Sequence, residues 1–325
     1  MFRRMFTRCS GVLLLLATAA SADVTIRQTM EFQFKMPMPG VQALPAPFNG
    51  PIQVVSRVKG DRAYSSFGPL ISITDSAKNE VTLIDEKGKR YATTVLSDYL
   101  AQMQKTATGG ADMPEQVKQL LANIKVEVTS TDTGRSERIL GIDAAEREVE
   151  FHMTIPLPVP GQEKGLEIVG KFQIWKPKAG QEDKVAALAE LEKYYAHAGG
   201  FGDSSAMLRQ MFSSMPGLGD NLKKLTEEMG KGGHTNLRMH GAIFMPGLAA
   251  MMAQAKASGA NVPDFPADGP LMEIRMEMSE VNTDAVPDSL FAIPADYQQA
   301  PIEDLAKMMM PAGMGGAKPA APAKQ

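Results

Sequence analysis

Cysteine is almost absent from this chain: its 325 residues include only Cys9. That cysteine follows three arginines and precedes the apolar run Gly11–Ala19. A basic stretch, a short apolar run and the small residues Ala20-Ser21-Ala22 are the three parts of a secretory signal. The sequence therefore predicts a signal peptide at residues 1–22, cleavage after Ala22 and a periplasmic or secreted location. Disulfides, thiolate metal sites and a cysteine nucleophile are then excluded from the mature chain.

Long hydrophobic runs and a surplus of positive charge are lacking as well. The run Gly11–Ala19 is too short for a membrane span, which needs about 20 apolar residues, and no other segment approaches that length. The formal net charge is −3, whereas binding to a phosphate backbone requires a basic patch. We therefore expect a protein that does not span a membrane and has no nucleic-acid partner.

Catalytic signatures are also lacking. The sequence contains no nucleophile-elbow, zinc-protease, phosphate-loop or dinucleotide-binding motif. Its four histidines, His152, His197, His234 and His240, stand in none of the spacings that those motifs require. We therefore expect no catalytic residues, no enzyme activity and no cofactor.

Methionine is what the chain has in excess, with 23 residues, while aromatic residues make up only 6% of the sequence. The methionine side chain is unbranched and polarisable, so it fills irregular spaces and changes shape easily. A core with many methionines and few rings is therefore expected to be soft and adaptable.

Alternation of apolar and polar residues predicts β-strands. In Val24–Met36 every even-numbered residue is apolar except Gln28, and every odd-numbered residue is polar. The same period of two recurs in Val149–Ile155 and Met272–Met278, which is typical of strands with one dry and one wet face. Glycine-containing segments such as Thr131–Gly134 are typical of hairpin turns between strands. Shorter or noisier strands are predicted at residues 52–59, 62–66, 70–74, 81–85, 90–94, 124–130, 137–141, 168–174 and 237–245.

Helical periodicity indicates a cover for the dry face of such a sheet. Apolar residues spaced three and four apart mark amphipathic helices, here at residues 94–105, 114–123, 181–197, 204–215, 220–229 and 247–256. We therefore expect an α+β fold in which residues 23–300 form a single domain. It contains one curved antiparallel sheet of about ten strands, with helices over its concave apolar face and a helical insertion at residues 181–231. Residues 301–325 are rich in Met, Gly, Ala and Pro, which predicts a disordered tail.

Three stretches carry a resemblance to a known family: Val58–Tyr64, Val81–Asp85 followed by Lys89–Tyr91, and Val286–Tyr297. They resemble a family of bacterial periplasmic proteins that is similar in architecture to the lipoprotein carriers of the Lol system. The resemblance covers most of residues 24–297, although the helical insertion departs from the shorter pattern. It implies a half-barrel of antiparallel strands with helices across its concave side, and it carries over no catalytic residue.

Methionines on both surfaces that would face each other favour a hydrophobic-ligand site, because methionine-rich surfaces repack around varied apolar guests. We expect an acyl chain or an acylated protein to bind between the sheet and the helices. The candidate residues lie on the dry strand face and on one predicted helix: Met30, Phe32, Phe34, Met153, Met239, Met272, Met276, Met278, Met211 and Phe212.

Two alternatives stay open. In the first, the same side chains fill the closed core of a structural or interaction protein. In the second, methionine and histidine bind copper, since both are ligands of Cu(I). Neighbours on a strand point to opposite faces, which argues against the pairs Met239-His240 and His152-Met153. The run Met308–Met310, with Met314 nearby, is the better copper candidate, and no metal site is expected before it.

Overall fold

Twelve β-strands and a few helices make up the described part of the protein. The structure, a computed structural model, describes residues 23–35, 50–68, 70–99, 124–156, 165–197, 227–230, 235–259, 269–306 and 308. The strands are β1 (Val24–Phe34), β2 (Ile52–Lys59), β3 (Arg62–Phe67), β4 (Leu70–Asp75), β5 (Glu80–Asp85), β6 (Arg90–Val95), β7 (Lys125–Ile139), β8 (Ile142–Ile155), β9 (Leu166–Pro177), β10 (Arg238–Phe244), β11 (Met272–Asn282) and β12 (Gln298–Gln299). The helices are α1 (Glu182–His197), α2 (Leu248–Ala257) and α3 (Ile302–Ala306), with a 3₁₀ turn at Asp288–Phe291. Residues 96–99 and 227–230 are also helical.

The strands form one sheet in the order β12-β6-β5-β4-β3-β2-β1-β11-β10-β9-β8-β7. All neighbours are antiparallel except β12, which runs parallel to β6. Two meanders, β1 to β6 and β7 to β11, therefore meet where β1 pairs with β11. The sheet is open, and within the described residues its edge strands are β7 and β12. A large, mostly antiparallel sheet, as predicted, is thus the main feature of the fold.

One predicted turn is wrong. The sequence suggested a reversal at Thr131–Gly134, but β7 continues through it, and its pairing with β8 shifts between Asp132 and Ser136. Gly134 has φ +75°, so the extra residues form a bulge that keeps the direction of the chain. The reversal comes at Leu140 and Gly141, whose φ angles of 52° and 71° suit a two-residue hairpin turn.

The sheet has one dry and one wet face across β1, β8, β9, β10 and β11. We call the dry side the inner face; it carries Met30, Phe172 and Met276, each at most 5% exposed. The opposite, outer face of the same strands carries charged side chains, because alternate residues of a strand point to opposite sides. Cross-strand ion pairs on this outer face are Arg27–Glu280, Lys35–Glu273 and Arg238–Glu277.

Helix α1 packs against the sheet near β1 and β11. Its buried side chains join strand residues in what we call the α1 cluster. The α1 cluster consists of Val24, Ile26, Val58, Ala63, Ile139, Ile142, Ala144, Ala187, Leu188, Leu191, Tyr194, Leu237 and Met278. The helix predicted at residues 94–105 is described only as far as residue 99, and those predicted at 114–123 and 204–215 lie outside the described residues, as do residues 220–226. No described helix is long and apolar enough to span a membrane.

The C-terminal segment, residues 286–306, packs against both sides of the sheet at β3 to β6. On the outer face, Phe291 and Tyr297 lie against a cluster of three buried isoleucines, Ile71, Ile73 and Ile84. Asp288 anchors the segment through ion pairs with Arg62 at 2.5 Å and Lys59 at 3.1 Å. Residues Gln298–Gln299 then extend the sheet beside β6, so this segment passes around its edge.

Beyond β12 the chain reaches the inner face. Helix α3 places Leu305 in a cluster with Leu83, Leu96 and Tyr99, and Leu305 is 0% exposed. The prediction of a disordered tail from residue 301 is therefore wrong at its start, since the apolar Ile302 and Leu305 give a short helix one packing side. Residues 309–325 lie outside the described residues.

Candidate hydrophobic ligand site

Four of the predicted ligand residues meet in one apolar cluster on the inner face, which we call the methionine cluster. They are Met30, Met153, Met239 and Met276, each 2–5% exposed. Strand pairing explains this arrangement: Met30 lies opposite Met276, which lies opposite Met239 on its other side. The other buried members are Ile52, Val54, Ile124, Val149, Phe151, Phe172, Ile174, Met229 and Ile274.

The remaining predicted residues are divided among other places. Phe32 and Met272 are partly buried and pack against the methionine cluster. Phe34 is partly buried at the end of β1, opposite Met272. Met278 belongs to the neighbouring α1 cluster instead. Met211 and Phe212 lie outside the described residues.

Two phenylalanines of the methionine cluster lie directly over glycines. Phe151 is opposite Gly170, and Phe172 is opposite Gly241, on adjacent strand pairs. The two rings stack with their centroids 6.1 Å apart and an interplanar angle of 24°. A Cβ atom on Gly241 would come within 2.5 Å of the Phe172 Cε1 atom. Only glycine leaves room for each ring against the sheet.

A row of uncharged polar side chains crosses the inner face, and we call it the polar row. It consists of Gln28 on β1, Ser56 on β2, Ser65 on β3 and Ser72 on β4. Ser56 lies opposite Ser65, which lies opposite Ser72. The Ser56 and Ser65 hydroxyl oxygens are 3.2 Å apart, and the Ser72 hydroxyl donates to the Ser65 carbonyl oxygen at 3.4 Å. Gln28, Ser56 and Ser72 are 9%, 3% and 8% exposed, so the row is largely buried.

The polar row lies on the boundary between the two apolar clusters. On β1, Gln28 separates Ile26 of the α1 cluster from Met30 of the methionine cluster. On β2, Ser56 likewise separates Val58 from Val54. In the sequence, Gln28 is visible only as a break in the apolar alternation of β1.

The helical residues 227–230 are held against the methionine cluster by polar contacts. Lys176 of β9 is 5% exposed, and its ammonium group donates to the Met229 carbonyl oxygen. The Ser130 hydroxyl of β7 donates to the Glu228 carboxylate. These contacts place Met229 in the cluster, as its position on the apolar stripe of the helix predicted at residues 220–229 suggested.

The histidine–methionine pairs point apart, as predicted. Met239 is 2% exposed while His240 is exposed, and Met153 is 3% exposed while the His152 side chain is 42% exposed. On the outer face, His152 contacts Glu167 through Nδ1 and Glu150 through Nε2, each at 3.0 Å. The hydrogen bond with Glu167, helped by Glu150, raises the pKa of His152 against the opposing effect of desolvation.

The described residues include no group of three or more His, Cys, Asp or Glu side chains that would hold a metal ion. Of the methionine run suggested for copper, only Met308 is described. Its sulfur lies 3.9 Å from Nη2 of Arg90, and a guanidinium at this distance repels a second cation. Arg90 is itself paired with the buried Asp85. Burial raises the pKa of the Asp85 carboxyl, but hydrogen bonds from Arg90 and Gly88 have the larger combined effect and hold this pKa below its usual value.

No protein-family model matches the chain, and no curated protein is significantly similar to it in sequence.

Proposed function

We propose that this is an exported, non-catalytic binding protein that holds an acyl chain or a similar apolar ligand against the methionine cluster. The observation that carries the proposal is the meeting of methionines from β1, β8, β10 and β11 on one face, bordered by the partly buried Phe32 and Met272. Flexible thioether side chains can repack around guests of different shape. Each Å² of apolar surface that binding removes from water contributes about 25 cal/mol.

In this proposal the sheet curves into a half-barrel, and helices of the insertion at residues 181–231 cover its inner face. The packing of α1 on that face and the contact of Met229 with the methionine cluster support such a cover. The predicted signal at residues 1–22 supports a site outside the cytoplasm. Lipids and acylated proteins are ligands of matching chemistry there.

The second candidate is a structural or interaction protein with a closed core. The α1 cluster favours it for one part of the molecule, because Val24, Leu188 and Leu237 are at most 2% exposed and helix α1 packs directly over the strands. In that case the methionines only fill space, and no ligand enters.

Binding of an acyl probe separates these two functions. The mature protein is purified without detergent, examined by native mass spectrometry for bound lipid, and titrated with a fluorescent long-chain fatty acid. Met272→Glu places a charge at the border of the methionine cluster, and we expect it to abolish saturable binding, since burying an unpaired charge is costly. Met251→Glu is the matched control, because Met251 is also partly buried but lies on α2 and belongs to neither cluster.

Bound lipid, or saturable binding that is lost in Met272→Glu and kept in Met251→Glu with circular dichroism unchanged, supports the carrier function. A wild-type protein that carries no lipid and binds no acyl probe refutes it in favour of the closed core. Equal loss of binding in both variants also counts against the methionine cluster as the site.

A further inference from the structure

We infer that Arg147 binds the anionic head group of the acyl ligand, a carboxylate or a phosphodiester with one negative charge, and that this head group takes the place of the Glu228 side chain. The inference rests on the proposed function, because it concerns the polar end of the same ligand. It narrows the ligand class from any apolar molecule to an anionic amphiphile.

The guanidinium group of Arg147, on β8, is satisfied on one side only. Its Nε and Nη2 atoms each lie 2.7 Å from Oδ1 of Asp132. The Nη1 atom is on the other side of the group; it is buried and has no hydrogen-bond partner in the part of the chain that the structure describes. A buried donor without an acceptor is unfavourable, and more so when it is charged. Its presence at this position therefore indicates an acceptor that does not belong to the chain.

Arg147 stands on the inner face, in line with the methionine cluster. Along this line Arg147 pairs with Ile174, which pairs with Met239, then Met276, then Met30. Neighbouring strands are about 4.8 Å apart, so the four steps span about 19 Å. That is comparable to the length of an extended long acyl chain. A head group at Arg147 therefore places the chain across the methionines of the cluster.

A carboxylate of the protein already lies beside Arg147. The Ser130 hydroxyl donates to the Glu228 carboxylate, and Ser130 is opposite Val149, the next inward residue of β8 after Arg147. The hydrogen bond to Asp132 raises the pKa of Arg147 against the opposing effect of desolvation, and the negative charges of Asp132 and Glu228 raise it further. Glu228 is therefore within electrostatic reach of the guanidinium, and its carboxylate stands where a ligand carboxylate would bind.

The charges at this position favour a ligand with a single negative charge. Arg147 and Lys176 are cations, Asp132 and Glu228 are anions, and the four charges sum to zero. Lys176 is 5% exposed and donates to the Met229 carbonyl oxygen. The Arg147 side chain is 20% exposed and Glu228 is only partly buried, so Glu228 can turn to solvent when another anion takes its place. The remaining three side chains then carry one positive charge, which a neutral head group would leave uncompensated.

The test compares a long-chain fatty acid with its methyl ester at neutral pH, on the full mature protein. We expect the wild type to bind the fatty acid about tenfold more tightly, which is the order of magnitude of one hydrogen bond to a charged group. Lysophosphatidylglycerol of the same chain length is the third probe. A preference for either anionic probe over the ester supports the inference, and the tighter of the two identifies the head group.

Two variants should change the affinity for the fatty acid in opposite directions. Arg147→Met keeps an apolar stem and removes the charge, so it should weaken fatty-acid binding about tenfold and leave ester binding unchanged. Glu228→Gln removes the competing carboxylate, so it should strengthen fatty-acid binding about two- to fivefold, the effect of a partly exposed ion pair. If Arg147→Met does not fold, Glu228→Gln decides, because a gain in affinity cannot come from misfolding.

Each variant has a matched control. Arg238→Met removes an arginine that pairs with Glu277 on the outer face, and Glu227→Gln changes the exposed neighbour of Glu228; neither should alter fatty-acid binding.

Three results refute the role of Arg147 while the proposed function stands. They are a wild type that binds the ester as tightly as both anionic probes, a folded Arg147→Met variant that weakens fatty acid and ester equally or not at all, and a Glu228→Gln variant that gains no affinity for the fatty acid. A wild type that binds none of the three probes refutes both the inference and the proposed function.

Discussion

Replacing Gly241 with alanine tests the packing of rings on glycines that closes the methionine cluster. The new Cβ atom would lie 2.5 Å from Cε1 and 2.6 Å from Cδ1 of Phe172. Carbon atoms in favourable contact are about 3.5–4.0 Å apart, so the ring has to move by about 1 Å. Phe172 is 2% exposed and stacks on Phe151, which lies over a second glycine, Gly170. The ring therefore has little free space into which it can move.

The expected cost follows from this crowding. Adding a methyl group to a well-packed core destabilises by about 1–3 kcal/mol, and a Gly→Ala change without strain stabilises by about 0.4–1 kcal/mol through the unfolded chain. The net loss for Gly241→Ala is therefore about 1–2 kcal/mol in the free energy of unfolding. The matched control is Gly50→Ala, because a Cβ atom at Gly50 meets nothing within 4 Å.

Urea unfolding, followed by far-ultraviolet circular dichroism and by the fluorescence of the single tryptophan, measures the difference. The double variant Gly241→Ala with Phe172→Leu makes room for the methyl group, so it should be more stable than the sum of the two single changes predicts, by at least about 0.5 kcal/mol. If Gly241→Ala unfolds at the same urea concentration as Gly50→Ala, or if the two changes are additive, the ring does not press on Gly241 and the reasoning fails.

Three further predictions concern other parts of the sheet. Leu305→Ala should destabilise by about 2–5 kcal/mol, since Leu305 is fully buried; an effect below 1 kcal/mol, about that of a surface change, would show that α3 does not hold the sheet edge. Because the pKa of His152 is raised in the folded state, its stabilisation is complete below the unfolded pKa of about 6.5 and is lost as the pH rises through the folded pKa. The free energy of unfolding of the wild type should exceed that of His152→Gln by less than about 1 kcal/mol, because His152 is exposed. In urea titrations this difference should vanish at alkaline pH. A difference that grows with pH would contradict the contacts of His152 with Glu150 and Glu167. Tyr194→Phe should leave the thermal midpoint unchanged or raise it, because the buried Tyr194 hydroxyl contacts Thr74 outside hydrogen-bond geometry; a clear fall would show a real hydrogen bond.

The strands could be predicted from the sequence because one face of the sheet is dry and the other wet. In β1 the alternation of apolar and polar residues gave the strand and the inward direction of Met30 directly. The bulge in β7 could not be predicted, since a glycine with positive φ serves a hairpin turn and a bulge equally well. The pairing of β1 with β11 was equally hidden, because it joins residues far apart in the sequence and leaves no local pattern.

The candidate site was predictable in part. Which methionines point inward follows from their strand positions, but Met278 and Met276 belong to different clusters because α1 packs over only one of them. The signal for the polar row was visible: Gln28 and Ser56 each occupy an inward position of an otherwise apolar alternation. Its meaning required the strand order, since only the register shows that the serines of β2, β3 and β4 lie side by side.

The junction between the two meanders has a consequence for how the protein is made. A chain synthesised from its N terminus completes β1 to β6 first, yet one edge of β1 has no partner until Met272–Asn282 emerges. Closing so long a loop costs little more entropy than closing a shorter one, but such distant pairing is slow. Until then an edge strand bearing Met30 and Phe32 is open to pairing with another chain, which is a known route to aggregation. A truncated chain that lacks β11 therefore exposes the unpaired edge of β1 in the middle of the future sheet. Proteases and chaperones can bind such an exposed strand edge.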